Sequence, residues 1–512
     1  MNRISLYSFL IFISLSKVVS GQNAVSTAEI ETWKDYASRA RIIRDSWGVP
    51  HIYGKSDADA VFGLMYAQCE DGFDRIERNY IGVMGRKAEA FGESYLFEDL
   101  RQRLFLDSMA AIDLYGKSPQ WLQKILIAWA AGMNYYLYTH PEVKPRIIRH
   151  FEPWMPLLFS EGSIGGDIST VPLSRIRQFY GYPEEWNIGE GKIPVVSDAE
   201  RGSNGIAIAG KKSASGNALL LINPHTTFYF RTEVHVVSEE GLNAYGAVTW
   251  GQFFVYQGFN EKCGWMHTSS STDVIDEYAE VVSQKKPYKY KFGKNQNPVI
   301  QREITLKYLK DGMMKQRRFE ASFTHHGPIT GKSGKLWIST ALMNNPLEAL
   351  QQSYLRTKAD GLSSFEKIME LRTNSSNNTV FADQDGQIAY WQGNFIPVRR
   401  AGLNTEGLIE GSNPANDWQG LHKLSEIIHF KNPPGGWLQN CTSSPYEASG
   451  NRSDLNAVYP AYMGADKQNF RAINAIRQLK ESDLISLEQL QKIAYNPRMP
   501  AFEILIPALM ES

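Results

Sequence analysis

The sequence changes character at one place, and that change limits what the chain can fold into. Before about residue 175 apolar residues recur at helical spacing; after Ser203 they come in short runs cut by Gly, Asn, Pro and Ser. The spacing from Ala60 through Phe73, Ile76 and Ile81 predicts a long helix, and Trp121 to Tyr135 predicts a second. From Arg175 to Asp198 the periodicity is lost, and Gly181-Tyr182-Pro183 and Gly189-Glu190-Gly191 read as linker. Strands are expected over 204–210, 218–222, 233–238, 244–250, 304–309, 318–324, 379–382 and 388–393. Helices return over 364–371 and 467–479. A helical first part, a flexible joint and a strand-rich second part make an α+β order, with sheets sandwiched by helices.

At 512 residues the chain can bury a large core. Lys plus Arg equals Asp plus Glu at 54 each, so no net field favours a nucleic-acid partner or an anionic membrane surface. The first residues, Met1-Asn2-Arg3 followed by an apolar run from Ile4 to Leu15 and small residues to Gly21, describe a signal for export over 1–21. That run is too short for a comfortable membrane span, and no later window supplies one. The expectation is a secreted or periplasmic protein. Cys69, Cys263 and Cys441 allow at most one disulfide, and no CxxC spacing suggests a metal or redox centre.

Ser203 sits between the joint and the first expected strand, in Arg201-Gly202-Ser203-Asn204-Gly205. It lacks the glycine two places upstream that a nucleophile elbow requires. A different chemistry suits it. A serine hydroxyl can attack the preceding carbonyl, and glycine at 202 tolerates the backbone strain this needs. Hydrolysis of the resulting ester leaves Ser203 with a free α-amine of ordinary pKa about 7.7–8.0, which can act as base for its own hydroxyl. The other conspicuous pair, His325-His326 before Gly327-Pro328, has neither an HExxH pattern nor a matching carboxylate, and reads as a strand end with a turn.

Ser203-Asn204 with Gly210 and Gly216, followed by Asn223-Pro224-His225, resembles the start of the catalytic chain of the penicillin acylase family of N-terminal-nucleophile hydrolases, which includes acyl-homoserine-lactone acylases. Further family-like stretches follow in order: Gln257-Gly258-Phe259-Asn260, Trp265-Met266-His267-Thr268, Thr324-His325-His326-Gly327-Pro328, Asn378-Thr379-Val380-Phe381-Ala382-Asp383 and Asn432-Pro433-Pro434-Gly435-Gly436-Trp437. Upstream, Gly48-Val49-Pro50-His51-Ile52 and Tyr66-Ala67-Gln68-Cys69-Glu70-Asp71 join them. The resemblance implies an αββα four-layer sandwich. It also implies processing into a helical chain (22–188), an excised linker (189–202) and a catalytic chain (203–512), the two chains remaining together as a heterodimer.

By the same resemblance Ser203 matches the nucleophile, and His225 matches the position beside its amine. Ser269 matches the residue whose backbone N–H donates to the oxyanion, and Asn378 matches the side-chain oxyanion donor, with Asn377 the alternative in register. Arg399 matches an arginine that orients the site, with Arg400 the neighbouring choice. Asp273, Ile275 and Asp276 match a structural calcium loop, a spacing of carboxylate and backbone oxygen that suits a hard cation. The implied activity is cleavage of the acyl amide of an N-acylated small molecule, of acyl-homoserine-lactone or penicillin type, without an organic cofactor. Two departures stand out. Thr226 replaces the large aromatic expected after His225, with Phe228, Tyr229 and Phe230 close by. The chain also ends at Ser512, sooner than the family's catalytic chain, so a catalytically impaired or binding-only homologue is the alternative expectation.

Overall fold

The structure is a computed structural model that describes residues 25–159, 167–183, 202–227, 229–450 and 453–511. The expected export signal, all of the linker except Gly202, and Phe228 lie outside these residues.

The long helix forms over Asp57–Val83 because Ser56 caps it reciprocally with Asp59. Its apolar positions, among them Leu64, Met65, Ile76 and Tyr80, are wholly buried, each contributing about 1.5–3 kcal/mol. Gly72 interrupts the helical backbone with φ −174° and ψ 51°. A second helix, Gln120–Thr139, packs along it. Both elements stand where the periodicity put them.

Two expectations for the first part need correcting. It is not purely helical: Ala40–Arg44 and Pro50–Gly54 are strands. They are short, and the partner of the second is distant in sequence. Pro50–Gly54 lies parallel to Arg231–Ser238, with His51 opposite His235. Nor is the region after Arg175 wholly aperiodic, because Leu173–Tyr180 is a helix that buries Ile176 and Arg177.

The strand-rich part builds two facing sheets. The larger has nine strands, in the order Ala40–Arg44, Pro50–Gly54, Arg231–Ser238, Asn243–Thr249, Gln257–Asn260, Cys263–Ser269, Asn377–Asp383, Ile388–Gln392 and His429–Lys431. The smaller has three, with Asn204–Ile208 between Trp437–Asn440 and Leu219–Asn223. They approach closely at Gly205, where a Cβ would stand 3.0 Å from both Met266 Cγ and Val380 Cγ2. Asp57–Val83 covers the outer face of the large sheet. On the small sheet, Ile206, Ile208 and Trp437 pack against Ala472, Ile476, Leu479 and Leu490, from the helices Phe470–Glu481 and Leu487–Ala494. The order helix, sheet, sheet, helix is the expected αββα arrangement. A further six-stranded sheet, Ile300–Lys310, Met313–Thr324, Gly327–Ser333, Leu336–Ala341, Asp276–Glu280 and Leu408–Glu410, completes the α+β fold. All three cysteines are buried and free. Among the described residues no helix is long and apolar enough to cross a membrane.

Candidate active site

Ser203 immediately precedes the central strand of the small sheet and is only 8% exposed. Its backbone N–H donates to Thr442 Oγ1 at 3.0 Å, and its hydroxyl oxygen accepts from the His225 N–H at 3.3 Å. The Asn204–Ile208 and Leu219–Asn223 strands pair in register from Asn204↔Asn223, which brings His225 beside Ser203. The His225 ring lies against Asn223 Oδ1 at 3.1 Å and Asn204 Nδ2 at 3.3 Å. Burial, and then the charge of Arg471, hold its imidazole below the usual histidine range, which favours the neutral ring.

Thr442 carries no recognisable signal in the sequence, yet it is the closest support of Ser203. It adopts φ 56°, an uncommon left-handed conformation for a β-branched residue. Such a conformation costs on the order of 1–3 kcal/mol and persists only when neighbours fix it. Asn440 Oδ1 accepts from the Thr442 N–H at 2.9 Å, and Asn469 Nδ2 donates to the Thr442 carbonyl at 2.9 Å. Asn469 is also the N-cap of Phe470–Glu481, its side chain accepting from the Ala472 N–H. One asparagine therefore ties the helix start to the loop that holds Ser203.

The first turn of that helix supplies Arg471, a second residue with no sequence signal. Its guanidinium donates to Asn204 Oδ1 at 2.7 Å and lies against Gly202, where a Cβ would stand 2.2 Å from Nη2. Gly202 does not adopt a left-handed backbone. A side chain at 202 would have to displace the far end of this arginine.

Asn378 is completely buried and faces the small sheet. Its amide nitrogen donates to the Ser269 carbonyl at 3.0 Å and to Thr268 Oγ1 at 3.2 Å, and its oxygen accepts from the Tyr390 hydroxyl at 2.8 Å. Thr268 donates to Asn440 Oδ1 at 2.6 Å, the same oxygen that holds Thr442. A continuous hydrogen-bonded path therefore joins Asn378 to Ser203 through Thr268, Asn440 and Thr442. Asn377, opposite Ser269 in the register, projects to the other face, because alternate strand residues do.

Arg399 binds the loop assigned to calcium. Its Nε and Nη2 bind the two oxygens of Asp276 at 2.8 and 3.1 Å, and Nη1 donates to the Asp273 carbonyl at 2.9 Å. The Trp418 indole N–H also donates to Asp276, and Thr405 donates to the Asp273 carboxylate. Neighbouring Arg400 binds Asn416 instead. With guanidinium and indole on its oxygens, Asp276 does not fit a hard cation, nor does the set Asp273, Ile275 and Asp276 as arranged. The charge that calcium would supply is already supplied by Arg399.

Phe230 lines a cavity of about 620 Å³ whose wall mixes Val83, Phe91 and Ile168 with the charged Arg78, Lys87 and Glu98, and Tyr229 stacks under Arg75, 4.2 Å from its ring centre.

The chain is similar to several known proteins. The chain is 25% identical over 529 residues to the acyl-homoserine lactone acylase PvdQ of Pseudomonas putida, covering 92% of this chain and 68% of that protein. It is 26% identical over 476 residues to the acyl-homoserine lactone acylase QuiP of Pseudomonas fluorescens, covering 80% and 56%. A solved thermostable penicillin G acylase from Alcaligenes faecalis superposes with a TM-score of 0.47 at 19% identity, over 57% of this chain and 51% of that one. The chain thus spans from about half to about two thirds of the length of these proteins. The family model described as penicillin amidase matches residues 39–512, and on that match the chain belongs to the penicillin amidase family of amide-bond hydrolases.

Proposed function

We propose that the protein is an exported acylase that becomes active when its own Gly202–Ser203 bond is cut. In the first step Ser203 Oγ attacks the Gly202 carbonyl carbon and the C–N bond breaks, leaving an ester. The hydroxyl proton passes to the departing nitrogen, which becomes the free Ser203 α-amine, and water then hydrolyses the ester, freeing a Gly202 carboxylate and restoring the Ser203 hydroxyl. In turnover that amine, directly or through a water, takes the hydroxyl proton as Oγ attacks the amide carbonyl of an N-acylated small molecule. The Ser269 N–H donates to the oxyanion, as does the Asn378 amide once one of its hydrogens leaves Thr268 Oγ1. Such a donor is worth about 2.7–4 kcal/mol in the transition state. The amine product leaves with the proton, and water releases the acyl group as a carboxylic acid.

The observation that carries this reading is the placement of Ser203 at the tip of the central strand, its N–H on Thr442 and its hydroxyl on the His225 N–H. Those contacts hold the nitrogen and oxygen that the chemistry uses. The neutral His225 ring adds no competing positive charge beside the amine. The relatives named as acyl-homoserine lactone acylases favour a substrate with an acyl chain.

Intact mass and N-terminal sequencing of the purified full chain test the proposal. A new terminus reading Ser-Asn-Gly-Ile is expected, together with amine release from N-acyl substrates of graded chain length. An uncut chain that turns over none of them overturns the reading and favours a binding-only homologue.

A further inference from the structure

The histidine doublet that reads as a simple turn acquires, in the fold, the carboxylate the sequence did not show beside it. His325 and His326 connect Met313–Thr324 to Gly327–Ser333 in the six-stranded sheet, and Asp417 arrives from a loop 91 residues further on. His325 Nε2 stands 3.3 Å from Asp417 Oδ2, and His326 Nε2 stands 3.0 Å from Asp417 Oδ1. One ligand atom from each of the three residues lies within 4.8 Å of the others. Zinc holds imidazole nitrogen at about 2.0–2.1 Å, so tetrahedral ligand atoms lie roughly 3.3 Å apart. The two nitrogen-to-carboxylate separations, each to a different oxygen, are of that size.

The far side of each ring is anchored in the manner of a metal site. His326 Nδ1 lies 2.8 Å from Glu280 Oε1, an oxygen that also accepts from Thr324 and Ser339 hydroxyls. That carboxylate orients the ring and directs Nε2 towards Asp417. His325 Nδ1 is likewise held, 3.0 Å from the Tyr290 hydroxyl. Carboxylate and hydroxyl partners of this kind orient imidazole ligands and raise their basicity. Tyr278 stacks on His326 at 3.7 Å, which restricts the ring further.

Charge makes the same demand. Glu280 is wholly buried, its Oε2 has no hydrogen-bond partner, and His326 is its ion-pair partner among the described residues. Glu280 and Asp417 together bring two negative charges, which a dication balances. The cluster also forms one wall of a cavity of about 380 Å³, bounded by Phe105, Leu342 and Trp418, so a fourth ligand position has room for water or a small anion.

We propose that His325, His326 and Asp417 form a binding site for a zinc-class divalent cation, with Glu280 and Tyr290 as its outer partners. The donor set, two imidazoles and one carboxylate, selects zinc or cobalt over calcium or magnesium. The site belongs to the six-stranded sheet, apart from the two facing sheets that carry Ser203 and Asn378, and it stands whether or not the acylase reading holds.

The test uses the full chain, dialysed against chelator and titrated with Zn²⁺ and with Co²⁺. One equivalent should bind, and Co²⁺ should show the intense visible bands of a four-coordinate nitrogen and oxygen site. H325A and D417N should each abolish binding. E280Q should weaken it about 10- to 100-fold while leaving one equivalent at saturation. Thermal unfolding checks that H325A, on the half-exposed ring, remains folded. Absence of stoichiometric binding to the folded wild type overturns the proposal. Binding that survives both H325A and D417N overturns it equally, as does binding lost instead in D273N.

Discussion

The backbone N–H of Ser203 is bound at 3.0 Å by the hydroxyl of Thr442, a residue 239 positions away in a left-handed conformation. A β-branched side chain is kept in that conformation by Asn440 and Asn469, so the strain serves to aim one hydroxyl at the candidate nucleophile. T442V should therefore slow chain cutting and turnover about 10- to 100-fold, corresponding to the 1–3 kcal/mol of a buried polar group left unpaired. T442S, which keeps the hydroxyl, should stay near wild type. The fraction of uncut chain on a denaturing gel, followed over time, measures both.

At Gly202 the contact is with the far end of a flexible arginine, so an added methyl group is tolerated only if Arg471 moves. G202A should slow cutting because Arg471 must give up Asn204 Oδ1. Combining it with R471A should cost no more than R471A alone. Additive effects of the two substitutions on the cutting rate would show that Gly202 acts through its backbone after all.

The Arg399–Asp276 pair is buried on both sides, with side chains 1% and 0% exposed. Replacing Asp276 by Asn leaves the guanidinium charged without a full counter-charge, and should cost about 3–5 kcal/mol in denaturant unfolding. Millimolar calcium should leave the wild-type melting temperature unchanged.

Asn378 and Asn377 are separable by the faces they occupy. N378A should lower kcat by about 10²–10³ if its amide serves the oxyanion, with some loss of stability from the buried network. N377A should leave kcat close to that of the wild type. Steady-state kinetics on an N-acyl substrate with both variants decides between them.

Asp167 supplies a pH dependence. Burial raises its carboxyl from the ordinary 3.8 to about 7, and the hydrogen bond from the Ser375 hydroxyl lowers it only in part. The folded state thus keeps a proton that the unfolded chain releases between about pH 4 and 7. Its contribution to stability is present below that window and lost as pH rises through it. D167N should gain on wild type across this range, by an amount on the order of a few kcal/mol at pH 8. Unfolding midpoints at pH 5 and pH 8 give the comparison.

Much of this was legible in the residues alone. The periodicity located the helices at 57–83 and 120–139, and the short apolar runs located the strands that flank Ser203, because both patterns are set by local geometry. Ser203, His225 and Asn378 were proposed from the family resemblance, and the fold places each at or beside a strand end. Thr442, Asn440 and Arg471 were not. Nothing about their neighbours distinguishes them, and they matter only because the third strand of the small sheet and the helix after it return to Ser203. The same holds for Asp276, whose carboxylate reads as a cation ligand until Arg399 is placed on it, and for His325-His326, which read as a turn until Asp417 is placed beside them. What the sequence determined was the order of elements and the strand tip on which the candidate nucleophile stands, both fixed by side-chain period and local turns. Only the tertiary structure decided which charges meet, because a charge's partner is chosen by packing across hundreds of residues and leaves no local trace.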